Sequence, residues 1–277
     1  MRFWVSHEGG LVDASEAHVS VLDHGFTVAD GVFETLKVAG GEVFALRRHL
    51  DRLARSAAAM GLPAPDEHQI RHAVDETVTA NAPLIGHLGR LRITYTAGVA
   101  ALGSDRGEAG PTLVVAVSAM TPWPESAAVV TVPWPRNERS LLAGVKSTSY
   151  AENVLALAHA HEHGAGEALM ADTQGRLCEG TGSNVFVVLD GQLITPSLAT
   201  GCLPGITREL VLEWTDAVEV DAPLSDLPNA SEVFITSSTR DVQPVHRVDG
   251  VAYAAPGPIT AAVREEFERR SSQDVDP

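Results

Sequence analysis

The sequence predicts an α+β chain of two sub-domains with mixed strand order. Three observations lead there. Short stretches that alternate apolar and polar residues are interleaved with longer amphipathic stretches along all 277 residues. A stiff segment at 119–125 (AMTPWPE) divides the chain, because the prolines flanking Trp123 favour extended backbone. No internal repeat and no low-complexity tract competes with that division. The boundaries that follow are 1–118 for a small N-terminal domain, 119–125 for the linker and 126–277 for a larger C-terminal domain.

The elements follow in order. Residues 31–38 (GVFETLKV) alternate, and Gly40-Gly41 turns them into 42–46, a hairpin signature. Residues 46–60 are amphipathic, with Leu46, Leu50, Leu53, Ala57 and Met60 on one stripe and Gly61 as the stop. Asp66 suits the N-cap of a second helix that turns Ile70, Ala73, Val74, Thr77 and Val78 inward. Residues 91–96 and 112–118 read as strands, joined by a Gly- and Ala-rich loop over 97–110. Beyond the linker come a strand at 127–133 and a helix at 152–163 ended by Gly164. Strands at 167–172 and 185–189 follow, the latter turned by Asp190-Gly191 into 192–195. A helix at 205–216, a strand at 232–237 and a terminal helix at 259–269 complete the pattern.

Charge and composition narrow the function. With 20 basic and 36 acidic residues the net charge is −16, which argues against a nucleic-acid groove or an anionic membrane surface. No apolar run reaches the roughly 18 residues that span a bilayer. The first residues lack the apolar core of a secretory signal, and two cysteines make no disulfide framework, so a reducing cytoplasm is expected. The 20 cations include only two lysines, Lys37 and Lys146. Arginine does the surface work here; either this is a compositional bias of an Ala-, Val-, Gly- and Arg-rich sequence, or a position with lysine needs a primary amine as a nucleophile.

Three segments carry chemistry. In Leu203-Pro-Gly-Ile-Thr-Arg208, Pro204-Gly205 opens a helix whose first amides, Ile206 and Thr207, are unpaired donors suited to a phosphate; the plainer reading is an ordinary helix start. In Cys178-Glu-Gly-Thr-Gly-Ser-Asn184, Glu179 sits in a glycine-rich bend before the buried-looking run VFVVL. It is either a solvated loop carboxylate or the partner of a cationic ring nitrogen. Lys146 lies beside a strand end, whereas Lys37 lies mid-strand on the face of Phe33 and Thr35 and reads as an ordinary strand-face charge. Together an amine, a carboxylate and a phosphate-binding helix start are the three contacts that pyridoxal 5′-phosphate requires.

The order Lys146, Glu179-Gly-Thr-Gly-Ser-Asn-Val-Phe, Leu203-Pro-Gly-Ile-Thr-Arg and Ser237-Ser-Thr239 resembles the fold type IV class of pyridoxal-phosphate enzymes. That group holds branched-chain and D-amino acid aminotransferases, (R)-selective amine transaminases and aminodeoxychorismate lyase. The resemblance extends to Gly25-Phe-Thr-Val-Ala-Asp-Gly-Val-Phe-Glu34 and His49-Leu-Asp-Arg-Leu53, and so spans nearly the whole chain. It implies a small N-terminal α/β sandwich, a larger β-barrel-like C-terminal domain with helices that binds the cofactor, and a homodimer with active sites near the interface. It also implies roles. Lys146 is the covalent anchor and the acid/base. Glu179 faces the pyridine nitrogen. Arg52, Ile206, Thr207 and Ser238 hold the phosphate, and Leu203 presses on the ring. Phe33, Ser238 and Thr239 line the substrate side.

Substrate choice departs from the family patterns. Typical D-amino acid aminotransferases and the lyase carry an arginine where this chain has Leu102. Arg92 lies where branched-chain enzymes use an arginine, but Arg90 replaces the tyrosine expected two residues earlier. Both point to one side of a strand, so they form a two-arginine carboxylate clamp, or one of them is a surface charge. The expected activity is transfer of an amino group between an amino acid and a 2-oxo acid, D-amino acids ahead of branched-chain L. The alternative is aminodeoxychorismate lyase. His159, His161 and His163 read as a solvated helix end rather than a metal site, and no metal is expected. Cys178 and Cys202 read as packing residues.

Overall fold

The computed structural model describes Met1–Pro277. The chain packs as two compact units. The first comprises Met1–Pro122, Val145–Ser149 and Val275–Pro277; the second comprises Trp123–Gly144 and Tyr150–Asp274. The sequence assigns 145–149 and 275–277 to the C-terminal domain, yet both stretches pack with the first unit. Their backbones are tied there: Phe33 N–H donates to Lys146 O at 3.0 Å, Thr148 N–H to Gly31 O at 2.8 Å, and Ala45 N–H to Val275 O at 2.7 Å.

In the first unit the strands are β1 (Arg2–Val5), β2 (Gly10–Asp13), β3 (Gly31–Ala39), β4 (Glu42–Val43), β5 (Leu88–Thr96) and β6 (Thr112–Ala119). They form one antiparallel sheet in the order β2-β1-β6-β5-β3-β4. Gly40 and Gly41 take φ of 60° and 89°, left-handed values that cost glycine nothing, which makes the β3–β4 turn tight. A short α1 (His24–Thr27) is capped by Asp23. The longer α2 (Leu46–Ala59) and α3 (Glu67–Ile85) cover one sheet face. Asp66 caps α3 by accepting from Gln69 N–H, as its position predicts. Leu50, Leu53, Ile70 and Val74 of the helices meet Leu36, Leu91, Ile93 and Val115 of the sheet. Burying each such leucine or isoleucine stabilises the fold by roughly 1.5–3 kcal/mol. The strands β1 and β2 escape the sequence pattern because four residues are too few for alternation to stand out.

The covered face holds the even positions of β3 and the odd positions of β5. The opposite face therefore carries Phe33, Thr35 and Lys37 beside Arg90, Arg92 and Thr94. This alternation sets out the substrate-side candidates of the first unit.

In the second unit β7 (Ala127–Thr131), β8 (Glu167–Ala171), β9 (Leu177–Gly180), β10 (Asn184–Leu189), β11 (Gln192–Thr195), β12 (Val218–Glu219), β13 (Glu232–Ser237) and β14 (Asp241–Val248) form a mixed sheet. Its order is β12-β11-β10-β13-β14-β7-β8-β9, with β15 (Val251–Ala252) on β14, and it curls into a half-barrel. Val185, Val187, Val233, Ile235 and Val245 fill one side. On the other side Phe186 stacks on Phe234 at 4.8 Å, and α5 (Ile206–Trp214) and α6 (Pro258–Gln273) pack against β13 and β14. Burial on both faces explains the unbroken apolar run VFVVL. Against β7 and β8, α4 (Ala151–Glu162) buries Ala156 and Ala160. No helix is long and apolar enough to cross a membrane.

Candidate active site

Lys146 follows Gly144, whose φ of 71° bends the backbone just ahead of it. The segment from Val145 to Ser149 runs along β3, with Val32 and Ser147 bridged. The backbone of Lys146 is pinned on both sides, its carbonyl by Phe33 N–H at 3.0 Å and its N–H by Ser56 Oγ at 3.4 Å. Its Nζ lies 4.5 Å from the centre of the Phe33 ring. The Arg92 guanidinium lies 3.9 Å from the same ring, and its Nε donates to Thr94 Oγ1 at 3.1 Å. One buried aromatic thus carries the amine and a guanidinium together. Arg90 stands on the same face one step along β5, opposite Lys37.

Arg52 sits on the buried side of α2, and its Nε and Nη2 reach the two oxygens of Glu34 at 2.9 and 2.6 Å. His49, one turn earlier, places Nδ1 2.6 Å from the same carboxylate. Burial alone would raise the Glu34 carboxyl, but Arg52, through charge and hydrogen bonding, and His49 outweigh it and bring it down to about 2. Burial lowers His49 below its ordinary 6.5, Glu34 opposes this, and the charges of Arg52 and Lys146 add to the lowering. Neither Glu34 nor His49 was assigned a role from the sequence. The signal was there: a carboxylate on the apolar face of a strand, and a histidine three residues before an arginine on one helix face.

In the second unit Glu179 lies on β9, paired with Met170 of β8, rather than in a bend. The glycine-rich turn begins after it, where Gly180 N–H donates to Ser183 O at 2.7 Å. Glu179 is buried, and one oxygen accepts from Leu203 N–H at 2.9 Å. The other lies 3.0 Å from Arg136 Nε, an ion pair whose N–H is not aimed for a hydrogen bond. Leu203 is fixed from its other side, its carbonyl accepting from Asn184 Nδ2 at 2.8 Å. Gly205 caps α5 without a side-chain partner, and the N–H groups of Ile206 and Thr207 bond to no protein acceptor. A Cβ at Gly205 would run into Asn184 Oδ1, so the chain here demands glycine. Ser238 and Thr239 occupy the half-buried turn between β13 and β14. Arg136 and Asn184 were missed from sequence because their roles arise from contacts 43 and 19 residues away.

Cys178 and Cys202 are buried; burial raises both thiols, that of Cys202 to about 11, which keeps them poor nucleophiles. His159 and His163 lie with ring centres 4.1 Å apart, and Trp134 meets the first edge-on. Leu102 is exposed.

The model for amino-transferase class IV matches residues 31–248. This chain is a class IV aminotransferase. A relative in Methanocaldococcus jannaschii, provisionally described as a branched-chain-amino-acid aminotransferase, is 35% identical over 272 residues, covering 94% of this chain and 93% of its own. The D-alanine aminotransferase of Bacillus licheniformis is 33% identical over 277 residues, covering 95% of each. Among solved structures, the branched-chain aminotransferase of Thermoproteus uzoniensis with norvaline superposes with a TM-score of 0.89 at 30% identity, covering 97% of this chain and 94% of that one.

Membership makes the class IV aminotransferase a fold type IV enzyme and a pyridoxal-phosphate-dependent transaminase. Its residues fit that cofactor. The α5 start offers two unpaired amides for a phosphate, Glu179 offers a buried carboxylate for a ring nitrogen, and Lys146 offers a pinned primary amine.

Proposed function

We propose that the enzyme moves an amino group between an α-amino acid and a 2-oxo acid, taking D-amino acids ahead of branched-chain L-amino acids. It acts in the cytoplasm as a homodimer. The observation that carries the reading is the shared Phe33 ring: the Lys146 amine and the Arg92 guanidinium cannot be farther apart than about 8 Å. An α-carboxylate stays close to the nitrogen that reacts, so a cation near the reactive amine suits its capture. Arg92 is therefore the carboxylate ligand of the pair Arg90 and Arg92. The D-alanine aminotransferase relatives, aligned over nearly the full chain, support the order of preference.

Bound pyridoxal phosphate supplies an electron sink that makes the substrate Cα proton removable. Lys146 would hold the cofactor through its aldehyde carbon, and its amine would serve as the acid/base for the substrate Cα proton. Glu179 would partner the ring nitrogen and favour its protonated form. Arg52, Ile206, Thr207 and Ser238 would hold the phosphate, and Leu203 would pack on the ring. Phe33, Ser238 and Thr239 border the substrate.

The test is the half-reaction, followed by absorbance, with D-alanine, D-glutamate, L-leucine and L-glutamate offered one at a time. Conversion of the cofactor to its amine form by the D-amino acids first is the expected outcome. Conversion by L-leucine alone reverses the order of preference. Pyruvate release from aminodeoxychorismate without an amino acceptor would identify the lyase instead.

A further inference from the structure

Glu167, at the start of β8, is a carboxylate of the second unit that is 1% exposed and that the proposed chemistry does not use. It accepts from two separate turns. From the glycine-rich turn ahead of β10, Oε1 accepts the N–H of Thr181 at 2.9 Å and the Thr181 hydroxyl, and Oε2 accepts the Ser183 hydroxyl at 3.1 Å. That turn closes tightly over it, since a Cβ at Gly180 would run into Ser183 Oγ and crowd the Glu167 side chain. The Thr181 carbonyl is fixed as well, by Tyr150 OH at 3.0 Å and Asn153 Nδ2 at 2.6 Å. From the turn between β13 and β14, Arg240 Nη2 donates to Glu167 Oε2 at 3.3 Å. The same guanidinium lies 3.7 Å from the centre of the Trp123 ring, and its Nη1 donates to Gln243 Oε1 at 2.7 Å. With its edge on two acceptors and its face on an indole, the planar group has its orientation set.

The sheet explains why the two turns can share one carboxylate. β10 and β13 pair antiparallel, with Asn184 opposite Thr236, so the turn that enters β10 and the turn that leaves β13 lie at one end of the sheet. Glu179 stands two residues before Thr181, and Ser238 and Thr239 immediately precede Arg240. Two segments assigned to the cofactor therefore hang from Glu167. A buried ion pair is weak support for stability, because desolvation offsets its attraction, and is better suited to fixing one geometry. We propose that Glu167 and Arg240 are positioning residues: their pair holds the Ser238–Thr239 turn at a set place relative to Glu179, so that phosphate and ring nitrogen of bound pyridoxal phosphate are met in register. This rests on the reading of Ser238 as a phosphate contact.

The experiment compares the affinities for pyridoxal 5′-phosphate and for pyridoxal, read from loss of the lysine-bound absorbance as the loaded enzyme is diluted, and records the phosphorus NMR resonance of the bound cofactor. Arg240→Met is expected to lower the ratio of the two affinities roughly tenfold, the low end of what loss of an outer partner costs a bound group, and to move the phosphorus resonance. Arg240→Lys is expected to recover part of both, because it keeps the charge and loses the planar edge. Equal weakening of both ligands, or an unmoved resonance, marks a residue that only stabilises the fold and overturns the proposal. If Arg240→Met does not fold, Glu167→Gln decides: it keeps an acceptor for the Thr181 N–H and removes the ion pair, and an unchanged ratio there overturns the proposal. Ser238→Ala judges the underlying reading separately. If it lowers the ratio and Arg240→Met does not, the positioning role fails and the phosphate contact stands. If Ser238→Ala leaves the ratio unchanged, the phosphate contact fails and the positioning role falls with it.

Discussion

Glu34 and Glu179 are both buried carboxylates beside an arginine, one in each unit, yet they are built for different ends. Glu34 has no exposed surface, and both oxygens are taken by Arg52 and His49, side chains of the adjacent α2. Glu179 is 8% exposed; one oxygen accepts a backbone N–H and the other meets an arginine that is near but poorly aimed. Glu34 is closed on side chains of one adjacent helix, whereas Glu179 meets the backbone N–H of Leu203 and the guanidinium of Arg136, both from segments distant in sequence. The contrast separates a carboxylate that ties a helix to a strand from one that joins loop segments of the second unit and that we propose faces the cofactor.

Three substitutions probe that separation. The largest effect belongs to Lys146→Ala: turnover falls about 10⁴-fold or more, and the long-wavelength absorbance of lysine-bound cofactor disappears. Retained absorbance with full activity would remove Lys146 from the centre of the reaction. Next is Glu34→Ala, which strands a buried guanidinium and lowers stability by about 3–5 kcal/mol in urea unfolding. A loss under about 1 kcal/mol would mean that Arg52 finds other partners at little cost. Glu179→Gln is the converse: folding and cofactor uptake persist, while turnover drops on the order of a hundredfold because a neutral amide does not hold the pyridine proton. If Glu179→Gln unfolded the protein while Glu34→Ala spared it, the contrast would be inverted.

Much of this was legible from sequence where the signal is local. The β3–β4 hairpin, the apolar stripe of α2 and the Asp66 cap each declare themselves within a few residues. The α5 start was visible because Pro204-Gly205 stands directly before an amphipathic run. What stayed hidden depends on pairing between distant segments. The parallel pairs β14–β7 and β7–β8 leave no local mark, and neither does the bridging of Ser147 to Val32 that brings Lys146 to Phe33. Arg136 carries no local signal; only the fold sets it beside Glu179. The register that sets Arg90 opposite Lys37 is equally invisible to local pattern.

The smallest expected effect concerns pH, and it sharpens the view of Glu34 as the structural member of the pair. The Glu34 carboxyl is held near 2 in the folded protein against an ordinary 4.5, so it binds its proton more weakly folded than unfolded. Its contribution is fully present above about 4.5 and is lost as pH falls from there toward 2. His49 also titrates below its ordinary 6.5 when folded, so the unfolded chain takes up that proton first and stability begins to fall as pH drops through 6.5. Both groups thus weaken the fold on the acid side, in two steps. Urea unfolding at a series of pH values should show the first step diminished in His49→Asn and the second still present. A His49→Asn variant whose stability follows the unaltered enzyme throughout the upper step would mean that His49 carries no part of it, leaving Arg52 as the only group that holds Glu34 ionised.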